Sequence, residues 1–180
     1  VRDNMLLLAR TGRWLGGQTP TGFGSEQVEE VILDGRVKRS CRLSPRPEEL
    51  ETVELIYRRF QTLQSLSALK RELDRRGLRS RWGKEFSLPA LREILQNPVY
   101  CAADPFAHDY FLSQGADVCF SGREPDRGLL SYNKRDYTGE RAARNPMSKW
   151  ILAPGRHPAL VSGAQWASVQ ALLGTPVPRP

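Results

Sequence analysis

Apolar residues recur at helical spacing in three consecutive stretches between residues 48 and 97. Leu50, Val53, Ile56, Tyr57, Phe60 and Leu63 form one stripe, which predicts a helix over 48–62 with that stripe in the core. Pro45 and Pro47 stand where a first turn tolerates proline, and Glu48, Glu49 and Glu51 suit the positive end of the helix dipole. Leu66, Leu69 and Leu73 predict a second helix over 65–76. Gly77 ends it, Leu78 is placed for the apolar contact that follows such a stop, and Lys70, Arg71, Arg75 and Arg76 face outward. A polar connector over 79–86 leads to a third helix over 87–96, with Ser87 as cap and Pro89 in the first turn. Leu88, Leu91, Ile94 and Leu95 are its core face, and Asn97-Pro98 ends it. Helix, turn, helix, basic connector and helix form a unit able to present one helix to a DNA groove.

On either side the pattern changes. Residues 2–10 read as helix without a capping residue, as if ending a longer one, and Gly12 and Gly16-Gly17 stop it. A Gly/Thr/Pro-rich loop over 12–25 lacks the Gly-Lys-Ser/Thr of a phosphate loop. Asp34-Gly35 between β-prone runs 27–33 and 36–43 predicts a hairpin with a type I′ turn. Past Tyr100 the pattern predicts a helix over 107–114, short strands over 116–121 and 128–132, a basic loop over 133–149 and a strand over 149–153. Ser162 and Gln165 form a capping-box pattern for a last helix bearing Trp166, Val169, Leu172 and Leu173, which ends at Gly174. The fold class expected is α+β, mainly helical: a helix-turn-helix-like helical core with a β-hairpin and a C-terminal mixed segment.

Composition sharpens the functional side. The 180 residues carry a formal net charge of +7, with a pI near 9.7. Of the 27 basic residues 22 are Arg, whose planar fork grips phosphate or a guanine edge in a way Lys does not. The charge is concentrated: Leu69 to Arg92 holds eight bases against three acids, and Lys134 to Lys149 five against two. Such patches favour a polyanion and salt-sensitive binding, although most charge runs are solvated helix faces. The longest apolar run, Met5 to Ala9, is far too short for a membrane span, and the chain does not open on a signal peptide. Cys41, Cys101 and Cys119 form no metal spacing and read as free thiols of a reducing cytosol, so a cytoplasmic location is expected.

Catalytic signals are weak. His108-Asp109-Tyr110 reads as the exposed side of a short helix, and His157 before Pro158 as a turn residue without a partner. No four-ligand zinc set, no Gly-x-Ser-x-Gly elbow and no tyrosine-recombinase set is present, so neither a cofactor nor a catalytic residue is assigned. By its own residues the chain reads as a binder.

Several stretches in order resemble one family. They are Asn4 to Ala9, Gly12-Arg13-Trp14-Leu15-Gly16-Gly17, Pro20 to Phe23, Ser65-Leu66, Arg76-Gly77-Leu78, Gly83-Lys84, Leu91 to Leu95 with Asn97-Pro98-Val99-Tyr100, Trp150 to Ala153, and His157 to Ser162. Together they resemble the recombinase domain of the large serine recombinases, the phage integrases and mobile-element transposases. Thr21 departs from the aromatic that the family commonly has before the glycine. The resemblance implies a protein whose N-terminal catalytic serine forms a 5′-phosphoserine link to DNA. It divides this chain into the end of the linker helix (1–12), a minor-groove linker (13–25), the recombinase domain (26–175) and a stub toward a zinc ribbon (176–180). The catalytic serine would lie upstream, so this fragment is expected not to be an enzyme by itself.

The expected partner is a double-stranded DNA attachment site, with the full-length protein a dimer on each site and a tetramer in synapsis. Arg10 and Arg13 are assigned to the minor groove or phosphates, and Arg79, Arg81 and Lys84 on the connector, with Ser87 and Arg92 on the third helix, to the major groove. Trp82 is assigned to the core rather than to a sugar. The alternatives are a stand-alone helix-turn-helix-like regulator and a protein- or RNA-interaction module.

Overall fold

The computed structural model describes Trp14 and residues 17–31 and 34–174. Its elements, in chain order, are β1 (Phe23–Val31), β2 (Val37–Pro45), α1 (Pro47–Leu63), α2 (Leu66–Arg75), α3 (Leu88–Gln96), a 3-10 turn (Pro98–Tyr100), β3 (Ala102–Ala103), α4 (Pro105–Ser113), β4 (Asp117–Val118), β5 (Glu124–Tyr132), β6 (Arg135–Asp136), β7 (Ala143–Arg144), β8 (Ile151–Pro158) and α5 (Gly163–Gly174). The expected helix at the start and the stub at the end fall outside the described residues. Among the described residues, no helix is long and apolar enough to cross a membrane.

The central helices follow the apolar stripes. α1 buries Val53, Ile56, Tyr57 and Phe60. α2 is capped by Ser65, which accepts the Ala68 N–H at 3.2 Å, and buries Leu69 and Leu73. Its end has the double bond that a left-handed glycine permits: Gly77 (φ +70°) donates to Asp74 and Leu78 donates to Leu73, both at 3.1 Å. Ser87 caps α3 through the Ala90 N–H, and Leu91, Ile94 and Leu95 turn inward. Tyr57 ties α1 to α3 by donating to the Ile94 carbonyl at 2.9 Å. α5 closes over both, with Trp166 donating to the Asn97 carbonyl at 3.1 Å. The expected capping box is half formed. Ser162 accepts the Gln165 N–H at 3.1 Å, while the Gln165 amide crosses to Gln61 at 2.9 Å.

The β elements depart further from expectation. The β1–β2 ladder runs from Phe23↔Pro45 to Val31↔Val37, so five residues rather than two separate the strands. Asp34 accepts the Arg36 N–H at 3.1 Å, an Asx turn instead of the centre of a type I′ turn. Among the described residues, the foot of this ribbon is anchored in the core by Phe23 and Leu43.

Past Tyr100 the chain builds a four-stranded sheet of order β3-β5-β8-β4, antiparallel except for the β4/β8 pair. β5 and β8 are about twice as long as the patterning indicated. Helix α4 starts earlier than expected, where Asp104 accepts the Ala107 N–H at 2.8 Å. The stretch expected to be a loop holds the small β6–β7 ladder. His157, expected in a turn without a partner, lies buried in β8 and donates from Nε2 to the Val99 carbonyl at 2.7 Å. The domain is thus mixed α/β, with helices and sheet sharing one core.

Candidate nucleic-acid interface

The site grows out of the connector between α2 and α3. Ser80 donates to the Lys84 carbonyl at 2.8 Å and Gly83 donates to the Ser80 carbonyl at 2.9 Å. This tight turn throws Trp82 outward, where it is 67% exposed, so its assignment to the core is corrected. Beside the turn runs a groove of about 810 Å³. Its lining includes Trp82, Lys84, Ser87 and Lys134, the linker residues Thr19 and Pro20, and two carboxylates, Glu85 and Glu93.

The seven residues assigned from sequence separate on inspection. Arg10 and Arg13 lie outside the described residues. Lys84 and Ser87 come together on the groove. Arg92 is exposed on α3 and has no carboxylate partner among the described residues. Arg79 is exposed, its Nη1 donating back to the Leu78 carbonyl at 3.1 Å.

Arg81 does something different from its assignment. Its Nε and Nη2 donate to Glu49 Oε1 at 3.0 and 2.8 Å. Nη1 donates to the Thr19 carbonyl and hydroxyl at 3.0 and 2.9 Å, and Nη2 to the carbonyls of Pro20 and Phe23 at 2.9 and 3.1 Å. A guanidinium has five N–H groups, and all are engaged. No donor of Arg81 is left for DNA in this conformation.

That clamp fixes the path of residues 19–23. Glu49 Oε1 also accepts the Gly22 N–H at 3.2 Å, and Arg46 donates its own N–H to the Gly22 carbonyl at 2.7 Å. Gly22 has φ +101°, and a Cβ there would stand 2.5 Å from Leu50 Cδ2, so glycine is required. Tyr100 donates its hydroxyl to the Thr21 carbonyl at 2.6 Å. Burial pushes the Glu49 carboxyl up, but the Gly22 N–H, Arg81 and Arg46 together outweigh it and hold the group below its ordinary value.

The second basic stretch, Lys134 to Lys149, supplies residues that none of the seven assignments includes. The β6–β7 hairpin lies against α3. Arg135 Nη2 stands 3.7 Å from Glu93 Oε2, Arg144 bonds the Gln96 side chain, and Lys134 Nζ reaches Asn97 Oδ1 at 3.5 Å. Burial lowers the pKa of Lys134 and of Arg144, and the cations around them add to it: Arg144 and Arg135 act on Lys134, and Arg135 and Arg92 act on Arg144. Glu93 opposes this in both cases. Two basic runs about forty residues apart in sequence therefore meet around a single glutamate. The signal available beforehand was the charge of the second run; the pairing with α3 needed the fold.

Two solved structures share this fold. A crystal structure of an LSR–DNA complex aligns with TM-score 0.51 and 18% identity, covering 96% of this chain and 39% of that one. A structure from work on the sequence requirements of the Listeria innocua prophage attP site aligns with TM-score 0.53 and 18% identity, covering 96% and 51%. The chain thus spans about two-fifths and one half of those proteins, and at this identity the likeness is one of fold. No curated protein matches it. The profile of the Recombinase family matches residues 47–175, from the first turn of α1 to just past α5. That match takes in the connector, α3 and the β6–β7 hairpin and covers well over half of the sequence, and this chain belongs to the Recombinase family.

Proposed function

We propose that the chain binds double-stranded DNA at recombination half-sites, as the DNA-binding region of a serine site-specific recombinase. The whole protein would cleave and rejoin DNA through a 5′-phosphoserine link, with the nucleophile outside this sequence. The observation that carries the reading is the convergence of Lys84, Ser87, exposed Trp82 and Lys134 on one groove, with Arg92 and the β6–β7 cations beside it. Gathering like charges costs energy in the free protein, and a polyanion recovers it. The fold relatives come from work on an LSR–DNA complex and a prophage attP site, which agrees with this reading.

In this account α2, the connector and α3 act as a helix-turn-helix-like reader. Ser87 and Arg92 meet base edges, Arg79 and Lys84 meet phosphates, and Trp82 packs on sugar. Arg10 and Arg13 belong to the minor-groove linker. Dimers on each site and a synaptic tetramer belong to the whole protein.

The test is a salt series with a duplex of the attachment site of the element that encodes the chain, against a scrambled duplex of equal composition. Tighter binding to the site with a steep salt slope is expected. Equal binding to both duplexes would deny half-site recognition, and no binding at low salt would deny DNA binding.

A further inference from the structure

We infer that the recess where β5 hands over to β6 is a seat for a backbone phosphate of duplex DNA. This rests on the DNA reading above and adds a contact remote in sequence from the connector and α3. The recess has a volume of about 310 Å³ and is lined by Ser131, Asn133, Lys134, Arg135 and Tyr137. That set offers a hydroxyl, an amide, a phenol and two cations, and it contains no carboxylate. Glu93 meets Arg135 from α3 and lines the large groove rather than this recess.

The walls are fixed before any ligand arrives. Asn133 takes a left-handed conformation (φ +62°) and donates its side-chain amide to the Lys149 carbonyl at 3.0 Å. Asn145, itself buried, answers from just past β7. Its amide donates to the Asn133 carbonyl at 3.0 Å and its N–H to the Lys134 carbonyl at 2.8 Å. The Asn145 carbonyl in turn accepts the indole N–H of buried Trp150 at 3.0 Å. Residues 133–134 are thus tied to the sheet core.

The charge balance selects the ligand. Glu93 stands 3.7 Å from Arg135 and is the one carboxylate whose charge acts on Lys134 and Arg144, while Arg92 adds a further positive charge beside Arg144. Lys134 also forms part of the large groove, so the recess continues the surface that bears Lys84 and Ser87. A sugar–phosphate backbone lying along that groove would set a phosphate at its end, where Arg135 can meet two of its oxygens.

The test measures the slope of log K against log salt on a mixed-sequence duplex for the unaltered chain, Arg135→Ala, Arg135→Lys and Lys134→Met. Arg135→Ala and Lys134→Met are each expected to reduce the slope by about 0.9, the value for one lost phosphate contact. Arg135→Lys should keep it, and the preference for site over scrambled duplex should not change in any variant. The Arg135 side chain is 51% exposed, so its loss leaves the fold intact; thermal melts check this and guard Lys134→Met. Unaltered slopes in both neutral variants would overturn the seat and leave the DNA reading standing. Lost site preference at an unaltered slope would make these residues base readers and overturn the phosphate assignment. No binding by the unaltered chain at low salt would overturn the DNA reading and the seat together.

Discussion

Arg81→Ala removes a guanidinium whose donors are all spent inside the protein. The side chains of Arg81 and Glu49 are 13% and 20% exposed, so solvent screens little of their pairing. Breaking such a pair from one side costs about 3–5 kcal/mol, because the surviving charge stays desolvated. Glu49 keeps the Gly22 N–H and Arg46, and the carbonyls released at Thr19 and Pro20 are half-buried, within reach of water, while the Phe23 carbonyl loses its donor in a fully buried residue. The first two facts outweigh the third and place the cost near the low end, about 3 kcal/mol. In a domain of this size that lowers the melting midpoint by about 6–12 °C. Arg81→Lys should fall in between, since three ammonium donors cannot span Glu49 and three carbonyls.

The assay is urea unfolding at neutral pH, with hydrogen exchange at Gly22 as a local probe. The sign with pH follows from Glu49, whose folded pKa is lowered. Its stabilisation is present above the unfolded value and lost as pH falls through the folded one, so the cost of Arg81→Ala should shrink in acid. A DNA measurement completes the case. A phosphate contact would take about 0.9 from the salt slope on removal. The clamp instead predicts weaker site binding at an unaltered slope, through a displaced linker. A stability change below about 0.5 kcal/mol combined with a reduced slope would refute the reasoning and return Arg81 to the DNA.

The remaining expectations concern the core and the exposed turn. His157 has its pKa lowered to about 4, first by burial, with the Val99 hydrogen bond opposing. The unfolded chain binds that proton more readily, so stability should fall by about 3 kcal/mol as pH drops from about 6.5 to 4. A His157→Gln variant with the same acid profile would remove His157 as the cause. Leu69→Ala should cost about 2–5 kcal/mol in urea unfolding, because Leu69 is fully buried between the helices; an unaltered midpoint would contradict that packing. Trp82→Phe should leave stability within about 0.5 kcal/mol but reduce the DNA-induced change in tryptophan emission, since Trp150 and Trp166 are fully buried and only half-buried Trp14, on the same groove, is left to report. An unaltered emission change would place Trp82 off the interface.

The helices were legible because their signals are local. Ser65, Ser87 and Gly77 act within one turn of the chain, and the leucine stripes need one neighbour each. The long strands were less so. β5 and β8 lie inside a sheet and lose the alternation that marks a half-exposed strand. β8 also contains Pro154, tolerated because, among the described residues, β4 pairs only with Ile151 and Leu152 and leaves the rest of that side without a ladder. The candidate site was half legible. Charge located the connector, but charge does not say which way a side chain points. Arg81 turns inward to a glutamate 32 residues away, and Trp82, apolar and so assigned to the core, is turned out by a five-residue turn. The meeting of α3 with the β6–β7 hairpin depends on the path of the strands that separate them in sequence, which no local pattern encodes.

The central claim is that one face, made of the connector, the start of α3 and the β6–β7 hairpin, receives DNA while Arg81 holds the linker from within. Amide hydrogen exchange of the chain, free and saturated with duplex, tests it most directly. Added protection in 79–92 and 133–144, with residues 19–23 equally protected in both states, is the predicted result. Protection appearing on α4 and the β1–β2 ribbon instead, with 79–92 and 133–144 unaltered, would contradict the account.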